Sequence, residues 1–505
     1  MKVACLVATI GCLTVPLRAQ SPVAIRAAAT ITEADVKRRI HIVAHDSMGG
    51  RDTPSRGLDL TAQWMAGEFR QLGLKPAGAS AGFVLPYQIT TRRVVPAGSA
   101  VSFTGPGNPI TLQVGKDASV AVAGGGGEVP VVLLGGGIDS ATSAQLKGKA
   151  VVWLADWSAG FPSDANQVLQ AAFGAGAKLM VVVVNNPAAF GQLAGQIATE
   201  TVVGTGPREG LSVFLANDAA VAVQSPEAVA QLAQIRAATT PTVVPAPDWT
   251  AKATIRDTIV STLEAPNVAG VIEGTDPVLK NEYVVISAHL DHMGLSPTCK
   301  SSSDKDRVCN GADDNGSGTV GIVELAEAFA EAGARPKRSI LFLGVSGEEK
   351  GLWGSAQFVE NPPVPVAAMV ANLNMDMIGR NWKDTVVAIG KEHSDLGTTL
   401  AKVAGDHPGL KMAAIDDRWP EENLYFRSDH YNFAAKGVPA LFFTSGLHDD
   451  YHAVTDTPDK LDAEKEARIL KLIFHLATAI GNAPDRPKWN PASYEKIVKQ
   501  PNPVP

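Results

Sequence analysis

Residues Tyr283–Asp291 read YVVISAHLD, Ser339–Glu349 read SILFLGVSGEE, and Met369–Met377 read MVANLNMDM. Each opens as a largely apolar run of strand length, the pattern of a strand covered on both faces in a parallel sheet. Each also closes on residues that can bind a metal or move a proton. TVGIVELAEAFAEAG (Thr319–Gly333) and GLWGSAQFVE (Gly351–Glu360) lie between these runs with apolar positions at helical spacing. Downstream the alternation continues, with strands in TVVAIG and PALFFT and helices from Leu396 to Gly405 and from Lys460 to Ile480. The predicted fold is α/β, a mostly parallel or mixed sheet with helices on both faces. In such a sheet, functional groups gather at the carboxyl ends of strands.

Upstream, ITEADVKRRIHIVAHDS predicts a helix capped by Thr32, and Leu58–Leu72 predicts a second one stopped by Gly73. MGGRDTPSRG (Met48–Gly57), rich in turn formers, reads as the loop between them. From Val95 to Pro245 glycine, alanine and valine dominate and short runs such as VPVVLL, KAVVWLA and KLMVVVVNN predict a separate strand-rich domain. AGGGG (Ala123–Gly127) lacks the GK[ST] of a phosphate loop and reads as a loop only. PTVVPAPDW (Pro241–Trp249) reads as a proline-spaced linker. The expected division is a signal peptide at 1–20, an N-terminal part of the main domain at 21–95, an insert at 96–245, the main domain again at 246–484, and a proline-rich surface tail at 485–505.

The chain has 505 residues, more than one hydrophobic core usually supports. It begins with Lys2 ahead of an apolar run from Val3 to Val15, followed by Leu17-Arg18-Ala19 as a cleavage site, so a secreted or periplasmic destination is expected. That run is shorter than the roughly 20 residues of a membrane-spanning helix, and no span is expected elsewhere. A lipid anchor at Cys12 would leave an unusually short export core, and simple cleavage is the preferred reading. The net charge of −7, with no block of basic residues, argues against a nucleic-acid partner. Cys5 and Cys12 fall in the signal; Cys299 and Cys309, enclosing a polar loop, are expected to pair in an oxidising compartment.

The candidate ligands are His289, Asp314 in NGADDNGSG, Glu348, Glu349, Asp376 and His452. Singly, a buried histidine is ordinarily a core residue and DDNG a turn. Two imidazoles and several carboxylates at the ends of separate strands of one sheet are a different matter, because Zn²⁺ accepts both nitrogen and oxygen donors. The adjacent pair Glu348-Glu349 projects in different directions, so one is expected to bind metal and the other to act as general base. Ser317 lacks the G-x-S-x-G elbow of a nucleophile and suits a helix start.

HLDH, GADDNGSG, GEEKG, NMD and YHAVTD occur here in the order found in the di-zinc aminopeptidase family that also contains glutamate carboxypeptidase and transferrin-receptor-like proteins. The resemblance spans about Asn281 to Asp462, and the insert resembles a protease-associated domain. It implies two zinc ions bridged by Asp314, one completed by His289 and Asp376 and the other by Glu349 and His452. It further implies Glu348 as base, Tyr451 as donor to an oxyanion, Asp291 as the carboxylate orienting the His289 ring, and a cis peptide at Asp314-Asn315. Arg427, Asp429 and His430 are candidate pocket residues, with Trp419 and Tyr425 as candidate lining. The expected substrate is a peptide, hydrolysed at its N-terminus. A carboxypeptidase, a glutaminyl-cyclase-like transferase and a non-catalytic receptor-like module share the scaffold as alternatives.

Overall fold

Along strand Tyr283–His289, Val284 and Ile286 join one hydrophobic cluster and Val285 another, and all three are fully buried. A strand alternates its side chains between two faces, so this strand is covered on both. The same holds for Ser339–Val345, where Ile340 and Phe342 face one layer and Leu341 and Leu343 the other. One layer comprises helices Pro22–Thr30, Glu33–Val43, Arg56–Gln71, Gly318–Ala330 and Ala463–Asn482. The opposite layer is thinner and rests on Trp353–Glu360 and His430–Ala435, through Phe358, Val359 and Phe433. These features belong to a computed structural model, which describes residues 22–499 apart from 79, 81, 159, 161, 197–199, 204–210, 221–231, 296–298 and 301–305. The expected export signal lies outside the described residues.

The main sheet is mixed, as expected. Tyr283–His289 pairs in parallel with Ser339–Val345 on one side and Met369–Met375 on the other, and Ala440–Thr444 continues that parallel centre. Thr385–Ile389 joins antiparallel to Ala440–Thr444, and Asp257–Ile272 joins antiparallel to Ser339–Val345. Asp257–Ile272 and Val84–Val94 then form a long antiparallel arm from Val268↔Val84 to Asp257↔Val94. The helix Glu33–Val43 starts where the sequence predicts, with the Thr32 side chain accepting from the Asp35 amide.

Beyond the arm lies a second, eight-stranded sheet. Its centre, Glu128–Gly135, Ala150–Trp153, Leu179–Val184 and Ser212–Asn217, is parallel, and helices Ala165–Gly174 and Pro187–Gln196 accompany it. This region is rich in strands and carries helices beside its parallel centre. PTVVPAPDW is not a linker: strand Thr242–Thr254 lies inside this sheet, between Ala100–Thr104 and Glu128–Gly135. Its prolines, which cannot donate to a ladder, are accommodated beside a register break between Ala246 and Thr250. The second sheet thus runs to Thr254, beyond the expected boundary at 245.

The tail also differs from its expected extended course. Pro491–Tyr494 is helical, Ile497 is buried with Tyr431, Ala434 and Phe442, and the Trp489 indole N–H donates to the Gly437 carbonyl at 2.9 Å. Cys299 and Cys309 form the expected disulfide, with Cα atoms 6.3 Å apart. Among the described residues, no helix is long and apolar enough to cross a membrane.

Candidate metal centre

Five segments deliver the candidate ligands to the carboxyl edge of the parallel centre. His289 is the last residue of its strand, Glu348 and Glu349 follow Ser339–Val345, and Asp376 follows Met375 directly. Asp314 lies in the tight segment Ala312–Ser317 that leads into Gly318–Ala330, and the Asp314-Asn315 bond is cis, as the resemblance implied. His452 comes from the loop after Ala440–Thr444 and has a left-handed backbone, φ 55°.

The side chains converge. His289 Nε2 stands 3.2 Å from Asp376 Oδ1 and 3.4 Å from Asp314 Oδ1. The other oxygen of Asp314 is 3.3 Å from His452 Nε2, which is itself 3.2 Å from Glu349 Oε2. Asp314 therefore sits between two groups of donors. His289, Asp314 and Asp376 offer ligand atoms within 4.8 Å of one another, and so do His292, Asp314 and Glu349.

The acids and imidazoles of the cluster act strongly on one another. Burial opposes protonation of His289, but the carboxylates of Asp376, Glu348, Asp291 and Asp314 outweigh it and hold the ring well above its ordinary range. Burial likewise opposes charge on Asp314, but His292, His289 and His452 draw it well below the usual carboxylate range. Glu348 goes the other way: burial pushes it well up, against the pull of His289 and with help from Asp376, Asp429 and Glu349.

The remaining expectations divide. Tyr451 stacks on His452 at 3.8 Å between ring centroids and lines the cleft beside Asp314, Glu348, Glu349 and Asp376. The Asp291 carboxylate is 3.7 Å from His289 Nδ1, whereas its backbone carbonyl is at 3.2 Å and is the closer acceptor. That carboxylate instead accepts from the Thr53 hydroxyl at 2.9 Å and the Glu348 amide at 3.3 Å. Trp419 and Arg427 line the cleft as expected. Asp429 and His430 do not: Asp429 is buried and accepts from Ser355 at 2.6 Å, and His430 stacks on Phe442 in the core. Tyr425 is likewise buried in that core cluster.

Several functional neighbours escaped the sequence reading. His292 Nδ1 is 2.7 Å from Glu349 Oε1, so Glu349 lies between two imidazoles; the second histidine of HLDH was the available signal. Asp456, the last residue of YHAVTD, accepts from the amides of Asp313 and Asp314 and so fixes the segment that carries Asp314. Ser428 donates to Asp376 Oδ2 at 3.1 Å. Arg51, in the stretch read as a loop, is fully buried beneath the site.

Residues 267–477 match the family described as Peptidase family M28. Similar proteins include a "Probable leucine aminopeptidase" of Arthroderma otae, 31% identical over 222 residues, which are 42% of this chain and 57% of that protein. A "Probable glutamate carboxypeptidase" of Arthroderma benhamiae is 30% identical over 185 residues, 35% of this chain and 23% of that protein. The chain thus spans little more than half the length of these relatives, or less. Among solved structures, an aminopeptidase from Aneurinibacillus sp. strain AM-1 is similar at 17% identity and a TM-score of 0.48, over 93% of this chain and 98% of that one. The strands that present the donors, and every candidate ligand from His289 to His452, fall inside the segment 267–477 that matches Peptidase family M28.

Proposed function

We propose that this chain is a zinc-dependent exopeptidase that removes residues from the N-termini of peptides. The observation that carries the reading is the pair of donor groups sharing Asp314, with Glu348 and Tyr451 on the wall of the same cleft. His289, Asp314 and Asp376 would hold one zinc, and Asp314, Glu349 and His452 the other. The mixed nitrogen and oxygen donors fit that ion. Zinc would supply Lewis acidity and bring the pKa of a coordinated water to about 7.

The protein's own groups then do the rest. Glu348, whose carboxyl is pushed up by burial, takes the proton of the attacking water and returns it to the leaving amine. Burial and the surrounding carboxylates keep the Tyr451 hydroxyl protonated, so it can donate to the oxyanion of the tetrahedral intermediate.

The lining favours an ammonium terminus over a carboxylate. Besides the candidate ligands, the charged residues there are Glu348, Glu422 and Arg427, and Arg427 pairs with Glu422 at 3.3 Å. No unpaired arginine among the lining residues offers itself to a carboxylate. Met377, Trp419, Leu424, Phe442 and Leu447 form the apolar wall, which suits an apolar side chain at the cleaved residue. Export to the periplasm or medium is part of the proposal and rests on the N-terminal sequence.

A peptide amide with a free amine and its N-acetylated twin with a free carboxylate separate the alternatives. The proposal predicts release of the first residue from the former and none from the latter. The reverse pattern would mark a carboxypeptidase. Loss of ammonia alone from a Gln-initiated peptide would mark a cyclase.

A further inference from the structure

We propose that Arg51 is a positioning residue for the metal centre, a guanidinium clamp that sets the two ligand-bearing loops against each other before any ion arrives. Its Nε donates to the Leu290 carbonyl at 2.8 Å, between His289 and Asp291 in the chain. Nη1 donates to Asn310 at 2.6 Å and to Val43 at 3.0 Å, and Nη2 donates to Gly311 at 2.8 Å. Four bonds from one planar fork therefore join the loop of His289, the approach to Asp314 and the end of the helix Glu33–Val43. Arg51 is completely buried and makes no ion pair among the described residues; its charge is compensated by carbonyl dipoles and by the carboxylates of the site beyond them.

The surrounding chain is shaped to admit this side chain. Arg51 has a left-handed backbone, φ 57°, and its carbonyl accepts the His292 amide at 3.3 Å. Gly50, also left-handed, packs so closely that a Cβ would come within 2.7 Å of the Gly294 Cα. Two residues on, Thr53 donates to Asp291 and accepts from the Gly347 amide at 3.0 Å, extending the same support to the segment carrying Glu348. A lysine would keep the charge and lose the fork, because its three donors radiate from one point.

The inference rests on the zinc centre proposed above. The test compares wild type, Arg51→Lys and Arg51→Met for zinc bound per chain, for zinc affinity by competition with a chromogenic chelator, and for kcat and KM. Val323→Ala, a change in the buried core that removes no candidate ligand, serves as a control for general destabilisation. The expected result is zinc affinity about 10–100-fold weaker in both Arg51 variants, as for other residues that support metal ligands, with lysine giving no rescue. The control should keep wild-type affinity, and kcat should fall in the Arg51 variants with KM little changed. Wild-type zinc affinity in either Arg51 variant overturns the clamp, and a wild-type chain that binds no zinc overturns the centre as well.

Hydrogen exchange on the zinc-free wild type gives an answer even if the variants do not fold. Peptides covering 286–294 and 308–316 should be protected before zinc is added; protection that appears only with zinc would show that the ion, not Arg51, organises the loops.

Discussion

Against burial and the charge of Asp314, hydrogen bonds from His292 and His452 draw Glu349 down to about 2, while Glu348 is pushed well up by burial. Two neighbouring carboxylates with opposite tendencies suit a ligand and a base. Glu348→Gln is therefore expected to retain wild-type zinc content and lose about 10²–10⁴-fold in kcat. Turnover within a few-fold of wild type would remove Glu348 from the mechanism. Tyr451→Phe keeps the ring stacked on His452 and removes only the hydroxyl, so kcat should drop by about 10²–10³-fold with zinc content intact. A change confined to KM would argue for a binding role instead. At this scale the candidate ligands were legible because each side chain carries its own chemistry and each follows a recognisable strand or turn. Arg51 was not, because its partners are backbone carbonyls, which leave no mark on the sequence at the positions that supply them.

Helix Ala463–Asn482 closes the main core and brings His475 face to face with His407, at 3.6 Å between ring centroids. Burial, and then the charge of His407, lower His475 from 6.5 to about 4. The unfolded chain takes up this proton near pH 6.5 and the folded chain only near 4, so the stability tied to the neutral ring is complete above 6.5 and is lost as pH falls toward 4. Urea midpoints measured from pH 7 to pH 4.5 should fall more steeply for wild type than for His475→Gln; parallel curves would refute this linkage. Element types read well from the sequence wherever a run was long and its period clear, as in Tyr283–His289 and Gly318–Ala330. Pro245 and Pro247 misled because a bulge lets proline sit inside a paired strand. The tail misled because Trp489 and Ile497 are too far apart to form a periodic pattern, yet each docks on the body.

The second sheet leaves the main one through the arm Val84–Val94 and Asp257–Ile272, whose chains are still paired at Val94↔Asp257. The Val95 amide also reaches the Arg256 carbonyl at 2.8 Å. A short turn joining Val95 to Arg256 could therefore replace everything between them while leaving all the candidate ligands in place. Such a deletion is expected to keep the zinc content and the rate on a dipeptide amide, and to alter the relative rates on longer peptides. Loss of zinc would show that the second sheet helps build the site. One consequence has to be controlled for: strand Glu200–Val203 pairs with Val84–Val94, so the deletion bares an edge that can associate with another chain. The central claim, a shared-carboxylate centre of two zinc ions, is tested most directly by removing metal from the full chain and titrating zinc back while following hydrolysis of a free-amine leucyl peptide amide. Activity should be abolished by the chelator and return to its full value as two zinc ions are bound per chain; hydrolysis that persists in the zinc-free protein would contradict the account.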